Sequence, residues 1–327
     1  MTPAFRIIVG GQDASGAVGD RLLALTVTDN DGGTADQVVI DLDDRDGRIA
    51  TPDMEATLEV SLGFAGGPLA FLGSFSVTGV GGTGPDRTMR ITGTAADLKS
   101  DIRSPRTRAW EGKTLSDIVR TIAGESGLKP VVGESLASAA WGYLAQTAES
   151  NLNFLTRIAG TLDATAKPAG GALIVQRRGE GKTAAGDVLT PPVITSARLS
   201  SYDWSLDGRE IYGAVEAQWC DTAGGALNRI TVGSGTPRRV LRHVYQAEAE
   251  ARRAAQATLS GAARSAMTIR NARLSGFEPG LLAGATARLA GPDLRPELIG
   301  EWQITRVIHS LTGSGLITSF DGKKGAA

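Results

Sequence analysis

One nine-residue pattern occurs twice in this chain, more than two hundred residues apart. Leu72–Val80 and Ile299–Val307 both read apolar, glycine, polar, aromatic, polar, β-branched, threonine, any residue, valine. A second shared run precedes each copy, Ala56–Val60 in the first and Ala285–Leu289 in the second. Apolar and polar residues alternate in both, which is the period of a half-buried strand. Although alternation with a glycine and an aromatic also occurs in unrelated strands, the shared order and spacing predict one antiparallel β unit used twice.

A chain that carries two equivalent units can match two different symmetries. Three such chains present six similar units, so a trimer can imitate a hexamer. We therefore expect a protein that can join a six-fold object to a three-fold one.

Bulk composition narrows the function classes. At 327 residues the chain suits about two domains. Its 34 Lys and Arg nearly balance its 35 Asp and Glu, which argues against a dedicated nucleic-acid binder. The single cysteine, Cys220, excludes an intrachain disulfide and fits a reducing compartment. The first ten residues do not resemble a secretion signal, and no apolar run approaches the ~20 residues that span a bilayer. We expect a protein made in the cytoplasm with no membrane anchor.

The first predicted domain, residues 1–105, is rich in strands. Alternating or β-branched segments are separated by Asp-Gly, Gly-Gly and Gly-Pro breaks. Short strands at this spacing indicate a small barrel or sandwich. The predicted strands are Leu23–Asp29, Gln37–Leu42, Thr57–Leu62, Gly73–Val80 and Arg87–Gly93.

The second predicted domain, residues 106–188, is a small α/β insertion. Thr114 is placed to cap a helix with apolar residues at helical spacing, and Gly127 is a natural stop. A second helix is predicted over Ser150–Ala159, and Lys167–Arg178 is predicted to form a hairpin.

The third predicted domain, residues 189–327, returns to strands after a polar loop over Gly179–Pro192. It contains an Ala-rich helix, predicted over Tyr245–Arg264, in which Glu248 precedes Arg252 by four residues. Strands are predicted again from Met267 to Asp321.

Three segments imitate binding sites without their required context. Gly79–Gly84 fits the G-x-G-x-x-G string, but an alternating strand follows where a dinucleotide site needs a helix, so a hairpin turn is predicted. Gly179–Thr183 contains Gly-Lys-Thr but lacks the first glycine of a phosphate loop and a following helix. Leu42–Gly47 lacks the first carboxylate of a calcium loop and is predicted to be an acidic turn, with a weak surface cation site as the alternative.

No catalytic set can be assembled from the residues. With one cysteine and two histidines, His243 and His309, a zinc site or a Cys-His pair is close to excluded by count. His309 follows apolar residues in a predicted strand and is expected to be a structural hydrogen-bonding residue. The sequence predicts no catalytic, cofactor-binding or metal-binding residue, and no enzymatic activity.

Gln146–Ala159 resembles the late control gene D family, the baseplate hub proteins of contractile-tailed phages, to which the hub part of VgrG is related. The family pattern is close to Gln-x-x-Glu-Ser-Asp-x-x-Phe-Leu-x-Arg-Leu-Ala. Here Asn151 replaces the usual Asp and Ile158 the usual Leu, changes that a capped and packed helix tolerates.

Three other segments resemble the family in the same order along the chain. They are its first hairpin (Ala35–Asp44), its helix after the linker (Trp110–Ile122) and its closing strand (Gly300–Leu311).

The resemblance implies a mainly β fold, with two similar antiparallel β-barrels flanking an α/β insertion and three subunits in a ring around a channel. It implies a structural hub that joins the six-fold tail tube, or its initiator ring, to a three-fold central spike. Tape-measure protein and then DNA would pass through the channel, and baseplate wedge proteins would be further neighbours. The expected location is the tail baseplate of the virion, after assembly in the host cytoplasm.

Two other functions stay open at this point. The chain could be the hub of a tailocin or another contractile device, and because it ends soon after the last predicted strand, a separate spike polypeptide is expected. A tail-associated cell-wall hydrolase has no supporting residues. The loops Gly63–Pro68 and Pro292–Pro296 are the predicted ring contacts, whereas Phe75, Trp302 and the Ala-rich helix are predicted to build the subunit core.

Overall fold

The computed structural model describes residues 1–32, 34–85, 87–95, 100–179, 190–208, 211–221 and 224–324. Strands dominate these ranges, as the sequence predicts. They are β1 (Pro3–Val9), β2 (Gln12–Asp13), β3 (Leu22–Asn30), β4 (Gln37–Asp43), β5 (Thr57–Phe64), β6 (Ala70–Thr83), β7 (Thr88–Ala95), β8 (Pro105–Thr114), β9 (Lys129–Val132), β10 (Ala140–Ser150), β11 (Ala164–Ala169), β12 (Ala172–Arg177), β13 (Val193–Thr195), β14 (Leu199–Leu206), β15 (Ala214–Asp221), β16 (Ala226–Gly233), β17 (Arg238–Tyr245), β18 (Met267–Leu274), β19 (Thr286–Ala290), β20 (Gly300–Thr312) and β21 (Gly315–Lys324).

The helices are fewer and concentrate in the middle of the chain. They are α1 (Ser15–Val18), α2 (Leu115–Glu125), α3 (Glu134–Ala137), α4 (Asn151–Gly160) and α5 (Glu248–Ser265). Among the described residues, short 3-10 helices lie at Ser100–Arg103, Ser196–Arg198 and Pro296–Leu298. No helix in the described ranges is long and apolar enough to span a membrane.

Both β regions of the chain belong to one open sheet of thirteen strands. Its main path runs β14-β18-β21-β20-β3-β4-β7-β6-β5-β1-β2, with β19 paired to β20 and β13 to β19. Within the described residues the two ends of this path do not pair, so the prediction of two closed barrels is wrong. The cause is the length of β20, whose first residues pair with β19 and whose last seven pair with β3. The two units therefore share a ladder, and neither closes on itself.

The duplicated pattern forms the same antiparallel pair twice, which confirms the predicted repeat. Leu58 of β5 lies opposite Phe75 of β6, and Ala287 of β19 lies opposite Trp302 of β20. These aromatic side chains are 2% and 0% exposed, and each belongs to its own apolar core. Both therefore build the subunit core, as predicted.

The equivalence extends to the backbone geometry of the two copies. A β-bulge interrupts the β6–β7 ladder at Thr78 and the β20–β21 ladder at Thr305, the same position of the pattern. The glycine of each copy, Gly73 and Gly300, has a positive φ of 146° and 124°. A side chain would be strained there, so the glycine is a backbone requirement of the unit.

The middle of the chain forms a separate layer around its own core. α2 and α4 pack on the hairpin β11–β12, which also pairs with β9 in parallel, while β8 and β10 form a two-stranded sheet. Thr114 and Asp117 form the predicted N-terminal cap as a reciprocal capping box, and Gly127 has the left-handed φ of 68° expected after the helix. The predicted boundary at residue 188 lies outside the described residues.

Residues 214–262 build a small sheet covered by a helix. β15 pairs with β16 and β17, and α5 packs its buried alanines on one face of this sheet. The small side chains let the helix approach closely, as the sequence indicated. The helix begins at Glu248, three residues later than predicted, because Tyr245 is paired with Trp219 in the sheet. The predicted pair of Glu248 with Arg252 is present, with Nη2 and Oε1 2.7 Å apart.

Candidate subunit interface

β14 presents an open edge at one end of the large sheet. It pairs with β18 on one side, and no strand of the described residues pairs with its other side. Its side chains Trp204 and Leu206 are 38% and 55% exposed. The guanidinium of Arg295 lies 5.0 Å from the centre of the Trp204 ring. An unpaired strand with exposed apolar side chains is a template for pairing with another chain.

The second half of β6 presents another open edge. β5 pairs with β6 only as far as Ser76, so Gly79–Thr83 pair with β7 alone among the described strands. This segment is the G-x-G-x-x-G string, and the structure confirms the predicted hairpin, since Thr83 lies opposite Thr88 across the turn. A Cβ on Gly82 would lie 2.4 Å from the carbonyl oxygen of Thr88, so glycine is required there for packing rather than for a nucleotide.

The two predicted contact loops occupy corresponding places in the two units. Gly63–Pro68 lies at the connection of β5 to β6, and Pro292–Pro296 lies between β19 and β20. Phe71, just after the first loop, is 62% exposed, and Ile299, just after the second, is 39% exposed. These loops and their apolar neighbours are available to another chain, and their role as ring contacts stays a prediction.

A third exposed surface lies on the small sheet. Val240 and Val244 of β17 are 51% and 42% exposed. Arg229 and Arg238 approach the same carboxylate, Glu216, at 3.5 and 3.6 Å. The face therefore mixes apolar and cationic groups, and the carboxylate partly neutralises the cations.

The acidic turn that imitates a calcium loop serves the fold. In the acidic turn, Asp46 accepts two hydrogen bonds from the guanidinium of Arg21, at 2.6 and 2.7 Å, and these bonds hold the pKa of the Asp46 carboxyl far below its usual range. Asp44 accepts from the backbone N–H of Ile49. Within the described ranges, no group of three or more His, Cys, Asp or Glu is arranged to hold a metal ion. Most of the Gly-Lys-Thr segment lies outside the described residues.

His309 is a buried structural residue, as predicted. Its ring is 3% exposed, its Nδ1 lies 2.9 Å from Oγ1 of Thr318, and its edge meets the ring of Phe277. Burial disfavours the charged imidazolium and lowers the pKa of His309 to about 4, against the opposing charges of Asp29 and Glu278. The imidazole is therefore neutral at neutral pH.

A half-buried ion cluster joins the middle layer to the large sheet. Lys167 of β11 reaches Asp29 at the end of β3 and lies 2.9 Å from a carboxylate oxygen of Asp36. Burial raises the pKa of Asp36 to about 6, although the charge of Lys167 opposes this. Burial alone would lower the pKa of Lys167, but the two carboxylates outweigh it and raise that pKa. Lys167 therefore stays charged and unreactive, and the cluster acts as a clamp.

A cavity of about 290 Å³ lies beside this clamp, between the two layers. Asp29, Lys167 and His309 are among its lining residues, and most of the remaining lining is apolar. Each charged lining residue has an ionic partner, since Asp29 and Asp36 contact Lys167, and Asp31 lies 2.8 Å from Nη1 of Arg178.

Side chains of the motif that carries the family resemblance take part in a buried hydrogen-bond network. The amide oxygen of Gln146 accepts from Arg108 at 2.9 Å and from Trp110 at 3.2 Å, and its amide nitrogen donates to Asn151 Oδ1 at 3.0 Å. Asn151 also accepts from Arg108 and donates to Glu125 at 3.2 Å. The amide of Asn151 can make both bonds, whereas an Asp would place a second carboxylate against Glu125. The network ties β8, β10, α2 and α4 together.

The chain is similar to proteins of phage tails and of a secretion system. The family described as "Phage tail baseplate hub (GPD)" matches residues 40–315. The "Probable baseplate hub protein" of Escherichia phage P2 is 32% identical over 222 residues, which are 68% of this chain and 57% of the relative, so the match spans little more than half of that protein.

Two solved structures share the fold. The 43 kDa tail protein of prophage MuSo2 from Shewanella oneidensis superposes with a TM-score of 0.74 at 12% identity, over 98% of each chain. The E. coli c3393 protein, a component of the type VI secretion system with structural similarity to the T4 tail proteins gp27 and gp5, superposes with a TM-score of 0.59 at 13% identity. This match covers 100% of the present chain and 77% of c3393.

Proposed function

This chain belongs to the phage tail baseplate hub family, and we propose that it is a structural hub of a contractile tail. In this role it forms a homotrimeric ring that joins the six-fold tail tube to the three-fold central spike. The observation that carries the proposal is the duplicated unit, in which the same strand pair occurs twice in one chain and in the same register.

The duplication explains how three chains meet a six-fold partner. Each chain contributes two equivalent units, so a trimer offers six similar positions to a tube or a tube-initiator ring. The two units differ in their aromatic residue, in their contact loops and in the elements that follow them. The face that exposes these differences is three-fold and suits a separate trimeric spike.

The remaining partners follow from the channel that such a ring encloses. Tape-measure protein and then DNA pass through it, and wedge proteins of the baseplate surround it. The chain carries 34 basic and 35 acidic residues, and this balance suits a passage, because strong binding to phosphates would retard DNA. The hub performs no catalysis in this proposal. It acts in the virion, after assembly in the host cytoplasm.

The test is the native mass of the purified chain, measured by light scattering over a range of concentrations. A trimer of about three times 33.8 kDa supports the ring. A monomer calls for the same measurement with the spike protein present, since the spike can act as a template. A chain that stays monomeric with both spike and tube proteins contradicts the proposal.

The second candidate is the hub of a tailocin or another contractile injection device. It is favoured by the shared fold of c3393, itself a component of a secretion system. Electron microscopy of particles that contain the chain separates the candidates, because a phage tail carries a capsid and a tailocin does not. Incubation with purified peptidoglycan tests the third function, since release of soluble fragments would reveal a hydrolase.

A further inference from the structure

One strand pair joins the two duplicated units within the chain. In this internal junction, β3 pairs antiparallel with the far half of β20, from Arg306 opposite Asn30 to Thr312 opposite Ala24. The near half of β20, Gly300–Gln303, pairs with β19. The junction is therefore made by the far half of one long strand and the outer edge of another.

The ladders define which strands of the two units are equivalent. In the first unit Val38 of β4 lies opposite Gly93 of β7, and in the second unit Ile269 of β18 lies opposite Gly322 of β21. Each of these glycines lies against the unit's buried aromatic side chain and a backbone carbonyl, so that a Cβ there would come within 3.1 to 3.5 Å of them. β4 thus corresponds to β18, and β7 corresponds to β21.

The same alignment assigns the strands of the junction. Val27 of β3 lies opposite Val38, and Trp204 of β14 lies opposite Ile269, so β14 corresponds to β3. β6 corresponds to β20 through Phe75 and Trp302. The far half of β20 therefore has as its counterpart the far half of β6, which is Gly79–Thr83. The edge of β3 has as its counterpart the outer edge of β14, which is the edge that faces away from β18. Among the described strands, these two edges pair with nothing.

We infer that β14 of one copy of this chain pairs antiparallel with Gly79–Thr83 of the next copy, in the register of the internal junction. His309 lies opposite Val27 in that junction. The equivalent positions place Trp204 opposite Gly82 and Ser205 opposite Gly81. This inference rests on the proposed ring and names the contact that closes it.

The chemistry of the two edges fits this pairing. Neither Gly79–Thr83 nor β14 contains proline, and β14 carries one charge, Asp203. Proline and repeated charges, two features with which proteins block unwanted strand pairing, are therefore absent from both edges, and the irregular part of the β14 ladder lies before Trp204, over Leu199–Asp203. Trp204 is the largest side chain on β14, and its counterpart Gly82 has no side chain to obstruct it. Trp204 and Leu206 are exposed in one chain, and the pairing would cover them.

Repetition of the same junction keeps the two kinds of unit alternating around the ring. Each internal junction joins the first unit of a chain to its second, and each proposed contact joins the second unit to the first unit of a neighbour. Three chains therefore form six junctions of one kind, which is the quasi-six-fold order of the proposed hub.

Disulfide trapping tests the register. In a Cys220→Ser background, the chain with Gly81→Cys and Ser205→Cys places the two sulfurs on directly opposed residues, whose Cα atoms lie about 5 Å apart in an antiparallel pair, within the range of a disulfide. Gly81 has open space around its Cβ position, and Ser205 is exposed, so both changes leave the fold intact. Six strands lie between β14 and β6 in one chain, so any bond is between chains.

The matched control is the chain with Gly81→Cys and Ser201→Cys, four residues away on the same strand, or roughly 13 Å. Circular dichroism checks that both variants are folded. Light scattering then verifies that each is trimeric, with the spike protein added if needed, before oxidation with diamide. Most of the Gly81/Ser205 variant is expected as covalent dimer and trimer on a non-reducing gel, and the control as monomer. A mixture of the two single-cysteine chains should give covalent dimers only.

The outcomes separate this inference from the proposed function. A trimer that yields no disulfide at Gly81/Ser205, or as much at Gly81/Ser201, overturns the strand pairing and leaves the hub in place. A chain that forms no trimer with or without the spike overturns the ring and this contact together.

Discussion

Replacement of Lys167 by methionine removes the only cation from the clamp between the middle layer and the large sheet, as far as the described residues show. The ammonium lies 2.9 Å from Asp36, contacts Asp29 and donates to the carbonyl of Asn30 at 2.8 Å. The carboxylate side chains are 18% and 22% exposed. Loss of one partner from a buried pair costs about 3 to 5 kcal/mol. Since water reaches these carboxylates in part, we expect the free energy of unfolding to fall by about 3 kcal/mol at pH 8.

The loss should depend on pH in a definite direction. The pKa of Asp36 is already raised to about 6 by burial, and removal of Lys167 raises it further. Between that raised pKa and the value of about 3.8 in the unfolded chain, the folded variant binds the proton more tightly and gains stability as the pH falls. One pKa unit corresponds to about 1.4 kcal/mol. We therefore expect the deficit relative to wild type to shrink by more than 1 kcal/mol between pH 8 and pH 5.

Guanidinium titrations followed by circular dichroism measure this deficit at each pH. Lys129→Met is the matched control, because Lys129 is exposed on β9 of the same layer and its loss should stay within about 0.5 kcal/mol. Acid effects elsewhere in the protein are common to wild type and variant and cancel in the difference. A deficit below 1 kcal/mol at pH 8, or one that is equal at pH 8 and pH 5, would refute the role given to Lys167.

Three further predictions concern single buried groups. Trp302→Phe removes the indole N–H that donates to the carbonyl of Leu298 at 2.8 Å, so thermal unfolding should show a loss of about 2 kcal/mol, and unchanged stability would contradict the role of that bond. His309→Asn removes a group whose pKa is about 4 in the folded chain and 6.5 in the unfolded chain. Wild type loses stability as the pH falls between these values, so the stability of wild type relative to the variant should decrease by about 3 kcal/mol from pH 7 to pH 4. A pH-independent difference would contradict the neutral state assigned to His309. Asn151→Asp places a carboxylate beside Glu125 and removes a donor, so urea titration at pH 7 should show a loss of about 1 to 3 kcal/mol that lessens at pH 4, whereas a neutral effect would show that the network tolerates the charge.

Local features of the fold could be predicted because they depend on neighbours in the chain. Alternation over Thr57–Leu62 and Gly73–Val80 predicts two strands because their apolar side chains must share one face. Thr114 and Gly127 mark the ends of a helix because they satisfy backbone groups within a few residues. The likeness of the segments around Phe75 and Trp302 predicted one antiparallel β unit used twice, and the structure confirms it.

The candidate interface depended on pairings between distant segments. No pattern in the sequence indicated that β20 would extend past β19 and pair with β3, about 280 residues away along the chain. Nor did it indicate that Lys167 would meet Asp29 and Asp36, or that residues 214–262 would form their own small sheet.

The amino-acid order by itself determined the repeated unit, the buried aromatic residue of each copy and the helix bounded by Thr114 and Gly127. Tertiary structure alone decided that the two units share one open sheet, and that the far half of β6 and the outer edge of β14 remain as its unpaired edges. The physical reason is the range of the interactions. Side-chain periodicity and helix capping act over a few residues, whereas the partner of a strand edge is chosen by the burial and hydrogen bonding of the whole chain at once.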